Sequence, residues 1–153
     1  MKFDKRKSIF EIEEGTKFQP KFDKNGLIPV ITTDFKTGSI LMHGYMNGEA
    51  LSKTITTGLA HYWSRSRNIL WKKGQTSGLF QEIREIKIDD DQDCLWIAVD
   101  VRGNGASCHV GYKSCFYRKV ELEKNNPRLV FVEEKKIFNP DDVYGDAPNP
   151  TKI

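Results

Sequence analysis

The sequence predicts an α+β protein that is rich in strands, with mixed and antiparallel strands and one main helix over about residues 47–57. Two observations favour this class. Short apolar or alternating runs recur along the chain and are separated by segments with Gly, Asp or Asn, which is typical of strands and turns. Only one window places apolar side chains at the spacing of an amphipathic helix.

The first elements are a hairpin and the helix. Residues 26–31 and 39–45 are apolar runs joined by a loop that ends in Gly38, which predicts two paired strands. In the helix, Asn47 is the expected N-cap and Gly58 the residue that ends it. One face of the helix should be formed by Ala50, Leu51, Thr54 and Ile55.

The later strands are shorter. Strands are predicted at residues 61–64, 80–88, 95–101, 114–122 and 128–133. Residues 65–78 should be rich in loops, and residues 89–93 should form the turn of the hairpin around them. Four of the six prolines fall in the last 27 residues, so residues 139–153 are predicted to form an extended C-terminal arm.

Length and composition fit one soluble domain over residues 1–153, with 38% hydrophobic and 29% charged residues. No apolar stretch is long enough for a membrane helix, and none follows the charged N-terminus as in a secretory signal. The expected location is therefore the cytoplasm. A net charge of +3 is too small to indicate a nucleic-acid or membrane partner, and three cysteines are too few for a disulfide scaffold.

Charge is unevenly distributed along the chain. Residues 50–81 contain five Lys or Arg and no Asp or Glu, whereas residues 82–93 contain six acidic residues. This pattern is typical of an anion site beside a cation site, although charge runs of this kind are more often two solvated faces.

The basic part, residues 63–78, contains a candidate anion site. Arg offers a bidentate fork for phosphate, Lys a point charge, and hydroxyl groups further donors, while a tryptophan ring can stack on a base. The alternative is a surface loop anchored by its tryptophans. The candidate substrate-binding residues are Trp63, Ser64, Arg65, Arg67, Trp71, Lys72, Thr76 and Ser77.

Two further clusters contain metal-ligand side chains. In extended chain Asp89, Asp91 and Asp93 point the same way and could bind one hard cation, although the segment is not an EF-hand and could be a solvated turn. Cys108 and Cys115 have a spacing that fits no common zinc finger, so buried thiols are the alternative to a zinc site. His43 and His61 are expected in the core or at a strand edge.

Together these segments resemble the phosphoribosyl-AMP cyclohydrolase family of histidine biosynthesis, in its monofunctional bacterial form. The resemblance covers about residues 28–118, which would be the core of the single domain. It rests on residues 45–47 (YMN), 61–67 (HYWSRSR), 70–74 (LWKKG), 76–78 (TSG) and 114–118 (SCFYR).

The resemblance implies hydrolysis of the N1–C6 bond of the adenine ring in 1-(5-phosphoribosyl)-AMP by a cytoplasmic, interlocked homodimer. It implies zinc shared between subunits and bound by Cys108 and Cys115, and magnesium at Asp89, Asp91 and Asp93. Zinc would activate the water that attacks C6. His109 would transfer protons, and the basic segment would hold the substrate phosphates.

The chain departs from the family at one ligand, because Asp90 stands where the family has a third zinc cysteine. Asp90 is the expected replacement, since a carboxylate can bind zinc. Cys94 is the alternative, and an inactive relative without zinc is another. Two other functions remain open: a zinc-dependent nucleobase deaminase, although the chain has no Cys-x-x-Cys, and a nucleic-acid-binding zinc module.

Overall fold

A computed structural model describes residues 1–122 and 126–151 and confirms the strand-rich α+β architecture. The last two residues of the predicted arm lie outside the described residues. The described elements in chain order are α1 (Ile9–Glu13), β1 (Leu27–Asp34), β2 (Ile40–Asn47), α2 (Gly48–Thr57), β3 (His61–Ser64), β4 (Ile69–Lys72), β5 (Gln81–Ile88), β6 (Leu95–Val101), β7 (Arg118–Glu121), β8 (Arg128–Phe131) and α3 (Pro140–Tyr144). Within them, no helix is long and apolar enough to cross a membrane.

The central element is a four-stranded mixed sheet in the order β2-β1-β6-β5. β1 pairs antiparallel with β2, and β5 pairs antiparallel with β6, as the predicted hairpins require. The parallel pairing of β1 with β6 joins the two hairpins and was not predicted. Two separate hairpins, β3–β4 and β7–β8, complete the strands. On the outer face Ile31 lies beside His43 and Trp96 in the register, and Ile31 and Trp96 remain 40% and 42% exposed.

The core lies on the other face of the sheet, where α2 and β3 cover it. Helix α2 begins as predicted, because the Asn47 side chain accepts a hydrogen bond from the Ala50 N–H at 2.8 Å. It ends at Gly58, whose φ of 68° is favourable for glycine. Of the predicted helical face, Ile55 stays partly exposed. The fully buried core side chains include Ile28, Val30, Leu41, Met46, Leu51, Tyr62, Leu95, Ile97 and Val99.

Four elements differ from the sequence-based expectation. The strand predicted at residues 114–122 is present only as β7 (Arg118–Glu121), because Ser114 and Cys115 bond to Ile40 and Leu41 of β2 instead of continuing the β7 pairing. β4 lies inside the segment predicted to be loop-rich, because its short apolar run pairs with β3 and places Trp71 opposite Tyr62. The short helix α1 was not predicted. The C-terminal arm is not simply extended: Asn139 caps α3, with Pro140 at its first position, where the missing N–H costs nothing.

Candidate functional site

The described residues enclose a cavity of about 850 Å³ between the β3–β4 hairpin, the segment after β6 and the C-terminal arm. Except for Lys72, every predicted substrate-binding residue lines it. His109 and Cys115 line the same cavity, although they lie more than 30 residues further along the chain. The lining residues predicted from the sequence are Trp63, Ser64, Arg65, Arg67, Trp71, Thr76, Ser77, His109 and Cys115.

The aromatic and basic wall is built by the β3–β4 hairpin. The rings of Tyr62 and Trp71 lie 5.7 Å apart, and the Arg67 guanidinium lies 5.9 Å from the Trp71 ring. The Arg65 guanidinium lies 4.0 Å from the Tyr45 ring centre, which orients its hydrogen-bond donors at the cavity wall. The turn after β4 requires glycine, because a Cβ at Gly74 would lie 2.4 Å from the Phe80 nitrogen.

The two neighbouring lysines lie in different environments. The Lys72 ammonium lies 5.1 Å from the Phe80 ring and does not line the cavity. Lys73 lines it, is only 5% exposed, and donates a 2.6 Å hydrogen bond to the Ser107 carbonyl. Among the described residues no carboxylate pairs with this ammonium. Burial therefore lowers the pKa of Lys73, and the nearby thiols Cys108 and Cys115 oppose that shift.

The cysteine loop, residues 107–115, folds back on itself. The Ser107 N–H bonds the Lys113 carbonyl at 3.0 Å and the Cys108 N–H bonds the Tyr112 carbonyl at 3.1 Å, which brings the two thiols together. A hydrogen bond from Cys115 lowers the pKa of Cys108 to about 6, although burial opposes it. The same hydrogen bond raises the pKa of Cys115. The hydrogen bond therefore favours Cys108 over Cys115 as the thiol that ionises first.

A buried chain of hydrogen bonds connects this loop to the sheet. Thr32 Oγ1 lies 2.8 Å from the Tyr62 hydroxyl, which donates a 2.6 Å hydrogen bond to Gln81 Oε1. Gln81 Nε2 donates to Ser107 Oγ at 2.7 Å. All four side chains are buried, so the network fixes the residue that precedes Cys108.

His109 follows Cys108 and has a buried Nε2 with no hydrogen-bond partner in the described part of the chain. Burial lowers the pKa of its imidazole, the Lys73 charge lowers it further, and the Asn149 side chain opposes both. The lowered pKa favours the neutral ring, which is the form that can accept a proton. Asn149 belongs to the C-terminal arm, which forms one wall of the cavity.

The acidic turn, residues 89–93, groups carboxylates differently from the prediction. Oxygens of Asp89, Asp90 and Asp91 lie within 4.8 Å of one another, an arrangement that could hold a cation. Asp93 instead forms an ion pair of 3.0 Å with Lys21, whose ammonium also lies 3.3 Å from Asp91. The hydrogen bond from Lys21 lowers the pKa of Asp93.

The acidic turn and the cysteine loop lie at opposite ends of the β5–β6 hairpin. Ser107 contacts Gln81, the first residue of β5, whereas Asp89 follows Ile88, the last. Seven residues of extended strand span roughly 23 Å. The structure therefore does not bring Asp90 to Cys108 within one chain.

Several residues of this site were missed by sequence-based reasoning. His43 lies exposed on the edge strand β2, one of the two positions expected for it, but its place in the cavity wall was not predicted; His61 is buried as expected. Successive side chains of a strand point to opposite faces, so a predicted β4 would have placed Lys72 and Lys73 on different sides. Because β4 had not been predicted, the two lysines could not be distinguished. The roles of Gln81 and of the arm depend on long-range contacts and have no local signal.

Comparisons with known proteins identify the family of this chain. The sequence profile of the phosphoribosyl-AMP cyclohydrolase family matches residues 42–117. Proteins of that name are similar over most of their length: one from Bradyrhizobium diazoefficiens is 55% identical over 134 residues, covering 88% of this chain and 94% of the relative. One from Rhodopseudomonas palustris (strain HaA2) is 52% identical, covering 90% and 93%, and one from Sinorhizobium fredii is 48% identical, covering 89% and 90%. The chain belongs to the phosphoribosyl-AMP cyclohydrolase family.

Proposed function

We propose that this protein opens the adenine ring of phosphoribosyl-AMP by hydrolysis, as a step of histidine biosynthesis in the cytoplasm. The observation that supports this most is the cavity, which joins a basic, aromatic wall to the Cys115 thiol and the His109 imidazole, with Cys108 hydrogen-bonded to Cys115 outside the lining. A volume of about 850 Å³ suits a nucleotide-sized ligand. Because the basic groups surround a concavity, they fit a small phosphorylated substrate better than the surface of a nucleic acid.

The wall of the cavity would bind the substrate. Arg65 and Arg67 would hold phosphate oxygens through charge-assisted hydrogen bonds, with the hydroxyls of Ser64, Thr76 and Ser77 as further donors. Trp63 and Trp71 would offer ring faces to the base. Lys73, with one hydrogen-bond acceptor and a buried charge, would contribute a positive field near the reacting end.

The cysteine pair fits zinc. The hydrogen bond from Cys115 lowers the pKa of Cys108, which favours the thiolate, the form that binds metal. When bound, zinc would supply a Lewis acid that activates water at neutral pH. We assign the third ligand to Asp90 of a second subunit rather than to Cys94. Burial, together with Asp89 and Asp93, raises the pKa of Cys94, which makes it a poor ligand.

His109 would move the proton. Its neutral ring can accept a proton from the attacking water, whose oxygen then bonds to C6. Cleavage of the C6–N1 bond returns an electron pair to N1, and His109 would deliver the proton there. One water is consumed per ring opened, and no oxidant or reductant is required.

Magnesium would bind at the acidic turn. Carboxylate oxygens are the ligands that this hard cation prefers, and those of Asp89 and Asp91 already lie within 4.8 Å of each other, beside Asp90, which is assigned to zinc. Asp93, the third ligand that the family resemblance implies with Asp89 and Asp91, would have to leave Lys21 to join them.

A homodimer is part of the proposal, because the two clusters lie at opposite ends of the β5–β6 hairpin. An acidic turn can complete a zinc site only if it comes from another subunit. The outer face of the sheet also leaves Ile31 and Trp96 exposed, which provides apolar area for such an interface.

The deciding experiment follows the ultraviolet absorbance of phosphoribosyl-AMP with purified protein, with a chelator, and with zinc restored. Ring opening that the chelator abolishes and zinc restores is expected. Release of ammonia from a free nucleobase would instead indicate the deaminase alternative. Absence of ring opening with stoichiometric zinc bound would mean an inactive relative.

A further inference from the structure

We propose that Glu133 is a positioning residue that fixes Cys115 in the cysteine loop. This inference rests on the proposed role of Cys108 and Cys115 as metal ligands. Glu133 lies outside the segment that the family profile matches, and no local sequence pattern indicates a role for it.

The Glu133 carboxylate uses both oxygens on the loop. Oε2 accepts a hydrogen bond from the Lys113 N–H at 2.8 Å, and Oε1 accepts one from the Ser114 N–H at 3.0 Å. Two consecutive backbone N–H groups that converge on one carboxylate form a strong, directional anion contact. These are the two residues immediately before Cys115, so the contact fixes the backbone from which that thiol projects.

Glu133 is itself anchored elsewhere. The N–H groups of Val132 and Glu133 both bond the Tyr117 carbonyl, at 2.9 and 3.3 Å. The Tyr117 ring stacks on Tyr112 with 4.1 Å between centres, and Phe131 packs against both. The carboxylate is therefore presented by a rigid support and is half-buried between it and the loop.

The two cysteines are thus held from two directions. Ser107, before Cys108, is held by Gln81 and Lys73, whereas residues 113–114, before Cys115, are held by Glu133. A metal with thiolate ligands needs a fixed distance between the sulfurs. Outer groups that orient ligands typically change metal affinity by about 10- to 100-fold.

The test compares Glu133→Gln with Glu134→Gln, the same change at the exposed neighbouring acid. A glutamine has only one oxygen to accept, so one of the two N–H groups loses its partner. Cobalt(II) binding to the metal-free protein would be followed through the thiolate-to-metal absorption band. We expect about 10- to 100-fold weaker cobalt binding for Glu133→Gln, faster hydrogen exchange at Lys113 and Ser114, and an unchanged unfolding midpoint. Glu134→Gln should match the parent.

Cobalt affinity in Glu133→Gln equal to that in Glu134→Gln would overturn the proposal. Weaker cobalt binding together with a lowered unfolding midpoint in Glu133→Gln would also overturn it, because Glu133 would then only support the fold. If the parent itself showed no thiolate band, the zinc proposal would fail. Hydrogen exchange at residues 113 and 114 would then decide whether Glu133 holds the loop. Exchange rates in Glu133→Gln equal to those in Glu134→Gln would contradict that role.

Discussion

Replacing Gln81 by Leu should destabilise the protein more than its single polar side chain suggests. Gln81 is fully buried and connects two other buried groups, the Tyr62 hydroxyl and Ser107 Oγ. Leucine has a similar size but neither donates nor accepts. The substitution would therefore remove both hydrogen bonds without opening a large cavity.

The expected loss follows from the groups left behind. A buried polar group without a partner costs about 1–3 kcal/mol. The Tyr62 hydroxyl keeps Thr32 Oγ1 as a partner, so the free-energy cost at Tyr62 should be near the lower limit of this range. Ser107 Oγ loses the hydrogen bond from Gln81 that connects it to the sheet. The sum is about 2–4 kcal/mol in the free energy of unfolding. With a urea dependence of about 2 kcal/mol per molar, the midpoint should fall by roughly 1–2 M.

The assay is urea unfolding at fixed protein concentration, with Gln75→Leu as the control. Gln75 is an exposed glutamine close in sequence, and the same change there should shift the midpoint by a few tenths of a molar at most. Similar midpoints for the two variants would refute the idea that the buried network stabilises the loop. A Tyr62→Phe variant should also lower the midpoint, because it leaves Thr32 Oγ1 and Gln81 Oε1 without the hydroxyl that bonds both.

Four other predictions concern the site. Lys73→Met should lower kcat/KM at least tenfold while Lys72→Met stays near the parent, whereas the opposite order in steady-state kinetics would restore the sequence-based choice of Lys72. Arg65→Ala should raise KM, because each lost charge-assisted contact to phosphate costs about 1.5–3 kcal/mol. An unchanged KM would indicate that the basic segment is a solvated surface. Metal analysis should find zinc lost from Asp90→Ala but retained by Cys94→Ala, and the reverse would make Cys94 the ligand. Light scattering at micromolar concentration should give the mass of a dimer, and an active monomer would contradict the shared zinc site.

Much of the fold could be predicted because its signals are local. Alternating side chains in residues 80–88 and 95–101, with turn residues between them, predicted the β5–β6 hairpin to within one residue. Helix α2 was bounded by its own caps, Asn47 and Gly58, which act within one turn. β4 was missed because a four-residue apolar run is stable as a strand only through its pairing with β3.

For the candidate site, too, local features were predictable from the sequence and long-range contacts were not. The sequence by itself determined the chemistry: a basic, tryptophan-bearing segment, an acidic turn and a cysteine pair, together with the family resemblance that the comparisons later confirmed. Residue type sets charge, donor pattern and metal preference, and these do not depend on the fold. Tertiary structure alone decided which side chains meet. It buried Lys73 and left Lys72 outside, brought the C-terminal arm beside His109, and placed the acidic turn far from the thiols. These contacts depend on pairing between segments that are distant in the chain. A local pattern of residue types does not indicate which ends of two strands become neighbours.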